Sequence, residues 1–190
     1  MVSLTLEECL SNESVDRLRN EQMDVAFIRA TSGDEHGLTV SALLEEQMVV
    51  ALPTTHALAK SKPQAGISIE RLSRETFILY GPPGTGMYDS TIAACQAAGF
   101  SPRVGNLGAS TQLAPRITST LSLVGAGLGI TFVPASLQRM NMEGVAYRAI
   151  KGPVQPTAML TLASRRGDQS AVVKQFVNLV RKEAKEFVAK

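Results

Sequence analysis

The sequence predicts an α/β protein of two small lobes. Three observations carry this reading. Short apolar runs alternate with segments of helical period along most of the chain. Residues 2–29 read as strand, helix, strand, the pattern of a βαβ unit. A strand–helix–strand–helix–strand run then follows Pro53. With 190 residues, 44% hydrophobic and 19% charged, the chain has length and apolar content enough for one full domain or two lobes with real cores.

The elements follow in order. Val2, Leu4 and Leu6 alternate with polar residues, so residues 2–8 read as a strand. Ser11 and Asn12 can cap a helix running to about Gln22, with Val15 and Leu18 on its inner face. Asp24–Arg29 is nearly continuous in apolar residues, the pattern of a parallel strand covered on both faces. Ala30–Gly37 is a polar loop at the carboxyl end of that strand, where ligands gather in open α/β sheets. Arg29, Thr31 and Ser32 are site candidates by position there, against the plainer reading of a solvated loop.

Leu38–Leu44 and Gln47–Leu52 read as two strands, the second ended by Pro53. A crossing point between lobes is expected near Ala51–Thr54, then a surface connection to Gly66. Ile67–Arg74 reads as a short helix and Phe77–Tyr80 as a buried strand. A helix is expected from Met87 to Ala98, with Tyr88, Ile92 and Cys95 on one face and Gly99 ending it. Val104–Leu107 reads as a strand. Ser110 and Thr111 can cap a further helix striped by Leu113, Ile117, Leu121 and Val124, although Pro115 favours a late start. Gly125, Gly127 and Gly129 permit a tight return into a strand at Ile130–Val133, and a short helical turn follows to Met140. Val145–Ile150 and Thr157–Ser164 read as strands around a proline-containing linker. Ser170–Lys190 is an amphipathic helix, with Val173, Phe176, Val177, Val180, Ala184 and Phe187 on its apolar face. Glu183 and Glu186 on that helix favour packing on the first lobe over a membrane surface.

Composition narrows the function classes. Net charge is +2 and no Lys/Arg run exceeds two residues, which argues against a phosphate-backbone surface on this chain. Cys9 and Cys95 stand alone and only His36 and His56 could join them, so no zinc site or other cofactor is expected. No apolar run reaches the length of a membrane span and no leader precedes residue 2, which points to the cytoplasm. Glu7–Glu8 and Glu45–Glu46 are adjacent carboxylates whose side chains diverge on a strand, so no acid–base pair and no enzyme is expected.

The stretch Thr76–Ser90 is strand, glycine- and proline-rich loop, then helix. Gly81 and Gly86 have the spacing of a phosphate loop. Met87 stands where that loop needs lysine, and Tyr88 where it needs a short hydroxyl for magnesium. Nucleotide hydrolysis is therefore not expected. A glycine-rich turn at a helix start remains, and such ends favour anions. Helix starts near Gly86 and Ser110, with Thr85 and Thr111 beside them, are candidates to hold a carboxylate. Tyr88, Phe132 and Val133 are candidate apolar walls for a planar ligand. Tyr88 reads equally as a core residue, and Phe132, in a buried strand, reads more readily as core than as pocket.

Four stretches carry a resemblance to a known family: Met23–Arg29, Val49–Leu58, Val124–Pro134 and Val145–Arg148. In order and spacing they resemble the effector-binding domain of LysR-type transcriptional regulators, over nearly the whole chain. Phe77–Tyr80 and Val133–Ser136 are most similar to the branch that responds to aromatic acids or their ring-cleavage products. The resemblance implies two Rossmann-like lobes of type 2 periplasmic-binding-protein kind, joined by two crossing strands. It implies lobe I at 1–52 with 147–190 and lobe II at 53–146. It implies a small effector, often a carboxylate, held by Arg29, Ala30 and Thr31, by Thr85, Gly86 and Tyr88, by Ser110 and Thr111, and by Thr131, Phe132 and Val133. It further implies a dimer or tetramer that meets promoter DNA through a winged helix-turn-helix domain absent here. The first lobe is expected to lack its opening strand and helix and to keep an exposed edge or face that promotes association. A solute-binding protein of a transport system is the alternative reading.

Overall fold

The computed structural model describes residues 2–29, 37–60, 66–104 and 116–188. These fall into two units, Met1–Glu45 with Met159–Lys190, and Glu46–Ala158. The breaks lie inside two strands, β2 (Leu38–Pro53) and β7 (Thr157–Arg165).

The first unit is a small sheet with a helix on each face. Helix α1 (Ser11–Arg19) leads to β1 (Val25–Arg29), which pairs with β7, and β7 lies beside β2. The β1–β7 pairing is antiparallel, with Phe27 opposite Leu162 and Ala26 opposite Ala163. Successive strand residues face opposite sides. Ala26, Ile28 and Ala163 accordingly meet Leu18 of α1 and Leu38, while Leu162 meets Val173 and Val177 of α4 (Ala171–Val188) on the other side. Arg165 ties the end of β7 to the α1–β1 turn. Its guanidinium lies 3.0 Å from Asp24 and 2.8 Å from Asp168, and it donates to the carbonyl of Met23.

Two expectations for this unit are corrected. Residues 2–8 are not a strand: none of them joins a β-ladder among the described residues, and Val2, Leu4 and Leu6 are 66%, 75% and 87% exposed. Alternation makes a strand possible, but only a neighbouring strand supplies the ladder bonds. β1 is antiparallel rather than parallel, and it is not covered on both faces, because Phe27 is 48% exposed. The α1 start also differs. Leu10 occupies the N-cap position with no side-chain cap, and the Ser11 hydroxyl instead accepts the Arg29 N–H at 3.2 Å.

The second unit carries a mixed sheet. β3 (Thr76–Phe77) runs parallel to β4 (Arg103–Val104). On its other side β3 meets the entry to β5 (Thr131–Pro134): Ile78 N–H donates to Ile130 O, and Ile130 N–H donates to Thr76 O, both at 2.8 Å. β5 is antiparallel to β2, and β2 to β6 (Val145–Ala149). Ile67 adds a parallel bridge to Ile150 at the far side. Helices α2 (Gly86–Ala97) and α3 (Ile117–Gly125) make the two crossovers β3–α2–β4 and β4–α3–β5. The strand–helix alternation read from the sequence is thus the observed one. Leu38–Leu44 and Gln47–Leu52 differ, being one continuous strand.

Each face of this sheet buries its own cluster. Leu52, Leu72, Phe77, Cys95, Ile130 and Phe132 share one, in which Phe77 meets Phe132 edge-on at 5.4 Å. Val49, Ala51, Leu121, Val124 and Val133 share the other. Glycine closes both helices. Gly99 (φ 86°) and Gly127 (φ 81°) are left-handed, and the paired bonds Phe100 N–H to Cys95 O and Leu128 N–H to Leu123 O satisfy the last carbonyls. Gly129 answers to space rather than to φ: a Cβ there would stand 2.6 Å from Thr76 O. The glycine run 125–129 is therefore a helix stop followed by a close strand approach, not a nucleotide fingerprint. Among the described residues no helix is long and apolar enough to cross a membrane.

Candidate functional site

In the second unit the loop after β3 places three expected site residues together. Thr85 is the N-cap residue of α2, Gly86 opens the helix, and Tyr88 lies in its first turn. The Thr85 side chain does not cap the helix. It is buried and donates to Pro82 O at 2.8 Å. Gly81 (φ 77°) makes room for it, since a Cβ there would meet the Thr85 hydroxyl at 2.7 Å. The helix start thus keeps first-turn amides that no side chain of Thr85 serves.

Asp89 changes the electrostatics of that end. Its carboxylate accepts the Gly84 N–H at 3.1 Å, from a position in the first turn of α2. A negative side chain there already complements the helix dipole. Sequence reasoning did not single out Asp89. The signal was available: an acidic residue four after a threonine N-cap is a common first-turn stabiliser.

The other helix start is electrostatically different. α3 begins at Ile117, late as Pro115 suggests, with Arg116 in the N-cap position and no acidic residue in its first turn. No side chain caps it. The Thr120 hydroxyl bonds back to Arg116 O at 3.2 Å within the helix.

The β5 candidates are all buried. Thr131 lies opposite Ala51 and is 2% exposed. Phe132 is in the cluster around Phe77, and Val133 is in the cluster around Leu121. Tyr88 is half-buried at the edge of the Phe77 cluster. In the first unit Arg29 ends β1, where Ser11 receives its backbone N–H. Ala30, Thr31, Ser32, Ser110 and Thr111 lie outside the described residues.

Other polar groups are engaged structurally. His56 Nε2 stands 3.2 Å from Glu75, and its Nδ1 accepts the Leu58 N–H. Glu7 pairs with Arg17, and Glu46 accepts the Ser136 N–H. Burial pushes the Cys95 thiol up to about 12. Among the described residues no group of three His, Cys, Asp or Glu side chains is placed to hold a metal ion.

The pattern of the LysR substrate binding domain matches residues 1–185. The chain belongs to the LysR substrate-binding domain family. Within that family it is 30% identical, over 96% of its length, to the HTH-type transcriptional regulator CatR of Pseudomonas putida. It is 27% identical, over 93%, to the Hca operon transcriptional activator HcaR of Escherichia coli. The chain spans 60% and 56% of those two proteins. Among solved structures, the BenM effector binding domain with its effector benzoate has a TM-score of 0.76, at 19% identity, covering 97% of this chain and 79% of that one. The LysR family regulator CbnR has a TM-score of 0.76 at 22% identity, covering 95% of this chain and 59% of that one. The α/β fold of this LysR substrate-binding domain is therefore that of the type 2 periplasmic-binding-protein-like effector domains.

Proposed function

We propose that this chain is the effector-sensing part of a LysR-type transcriptional regulator, and that its ligand is a small organic acid. One observation carries the reading: the LysR substrate-binding pattern runs through residues 1–185. The relatives named above are regulators, and one fold neighbour is named with benzoate as its effector, which favours the aromatic-acid branch. The proposed contacts are Arg29, Ala30 and Thr31, then Thr85, Gly86 and Tyr88, then Ser110 and Thr111, then Thr131, Phe132 and Val133. The start of α3 supports an anionic ligand better than the start of α2 does. Arg116 precedes the uncapped amides of α3, whereas Asp89 already stands over α2.

In this reading the acid biases a conformational equilibrium by binding one state better than another. DNA is met through a separate domain outside this chain, and the regulator works as a dimer or tetramer in the cytoplasm. The domain binds without catalysis and without a cofactor.

Thermal unfolding against benzoate, a muconate-type diacid and aliphatic acids tests the proposal. A ligand at a hundred times its Kd adds about 2.7 kcal/mol to a folded state that alone binds it. For a chain of this size that is a rise of roughly 5–10 °C in Tm. No shift with any acid would sink the acid assignment.

A further inference from the structure

Among the described residues, β1 pairs only with β7 and so ends the first unit's sheet. Its Arg29 N–H turns away from β7 and meets the Ser11 hydroxyl at 3.2 Å. Along an antiparallel strand, residues alternate between bonding their opposite partner and pointing away from it. Val25 and Phe27, four and two residues before Arg29, therefore aim N–H and C=O at the open edge. An edge of that kind is a template for one more strand.

The edge is also apolar. Phe27 lies opposite Leu162 on the face that α4 covers, and it is 48% exposed. Val173 and Val177 of α4 turn to the sheet, and Arg181 on one flank of the helix reaches Ser41 of β2. At 3.6 residues per turn, Val172 and Leu179 fall on the opposite flank, the β1 side, and both are exposed.

The chain itself carries a segment that fits this edge. Val2, Leu4 and Leu6 alternate with Ser3 and Thr5, are exposed, and join no β-ladder among the described residues. A leucine laid beside Phe27 puts all three apolar side chains on the α4 face and both hydroxyls on the other. Charge selects the direction. A parallel strand brings Glu7 and Glu8 to the Arg29 end of β1, whereas an antiparallel one brings them to Asp24. In the parallel sense, whether Leu4 or Leu6 stands beside Phe27, the Thr5 N–H donates to a β1 carbonyl.

We propose that a second copy of this chain docks on the first unit by adding its residues 2–6 as a parallel strand along the open edge of β1. This contact is independent of the acid-sensing reading, and either can fail alone.

The test is light scattering of the 190-residue chain over a dilution series. The mass is expected to rise with concentration from the 20.3 kDa of one chain toward twice that or more. Thr5→Pro removes the strand's N–H, and Leu4→Lys sets a charge against Phe27. Each is expected to hold the mass at one chain where wild type associates, with unchanged melting in dilute solution, since both positions are exposed in the lone chain. Amide hydrogen exchange supplies the second readout: the Thr5 and Phe27 amides are expected to be protected in concentrated wild type and to exchange fast when dilute. A single-chain mass at every concentration overturns the proposal. So does association that both variants keep, which places the contact elsewhere. Protection of both amides in dilute protein overturns it too, because the segment then folds onto its own β1.

Discussion

Gly129→Ala tests how tightly β3 is held to β5. The added methyl carbon would lie 2.6 Å from Thr76 O and 3.1 Å from the Ile78 side chain. Ordinary carbon contacts begin near 3.5 Å, so about 1 Å of separation must be found. The obstacle is a backbone carbonyl inside the sheet, not the end of a flexible side chain. That carbonyl accepts the Ile130 N–H at 2.8 Å, and the return bond from Ile78 N–H to Ile130 O has the same length. Overpacking of this kind costs about 1–3 kcal/mol, and a weakened ladder bond adds about 1 kcal/mol. A loss of about 3 kcal/mol is therefore expected, or roughly 6–12 °C in Tm for a chain of this size. Urea and thermal unfolding followed by circular dichroism measure it, with exposed Ser122→Ala as a control expected within about 0.5 kcal/mol of wild type. If Gly129→Ala also falls within that margin, the close approach is not what glycine is there for. The joint matters to the candidate site because the Thr85 loop leaves β3 and Thr131 follows Ile130 by one residue.

The thiols should separate by environment. Cys95 is fully buried with its pKa pushed up to about 12, while Cys9 is half-buried beside Ser14. An aromatic disulfide reagent near neutral pH should modify Cys9 quickly and Cys95 only on unfolding; equal rates would refute the burial of α2's inner face. The sign for stability follows. The folded state holds the Cys95 proton above the unfolded value of about 8.5, so its contribution is lost as pH rises through that interval toward the folded value. Asp168 works in the opposite sense. The Ser170 N–H first, then Arg165, hold its carboxyl below the usual range. Its stabilisation is present above the unfolded pKa of about 3.9 and is lost as pH falls through the folded one. Asp168→Asn should flatten the acid limb of a Tm–pH curve, and an unchanged limb would count against the Arg165 anchor.

Much of the second unit was legible because its signals are local. Gly99 and Gly127 sit where helices must stop, α3 begins only at Ile117, and the stripe Ile117, Leu121 and Val124 faces the sheet. Residues 2–8 misled because alternation describes a chain able to be a strand, while a strand also needs a neighbour. Phe27 misled because an apolar run does not say which residues are covered. At the site, the sequence located Thr85 at a helix start but not its hydroxyl's turn toward Pro82 O, which depends on room beside Gly81. Tyr147 was read as one of an alternating set and as part of the Val145–Arg148 stretch that carries the family resemblance. Its place opposite Ala51, in the row of Thr131, follows from a register joining residues far apart in the chain. No local pattern records that register.

This LysR substrate-binding domain is proposed to bind a small organic acid at one site. Titration calorimetry of the 190-residue chain with the acid that shifts its melting most tests it directly. One saturable site per chain is predicted, with affinity lost in the methyl ester of the same acid. Binding that is absent, or that the ester reproduces undiminished, would contradict it.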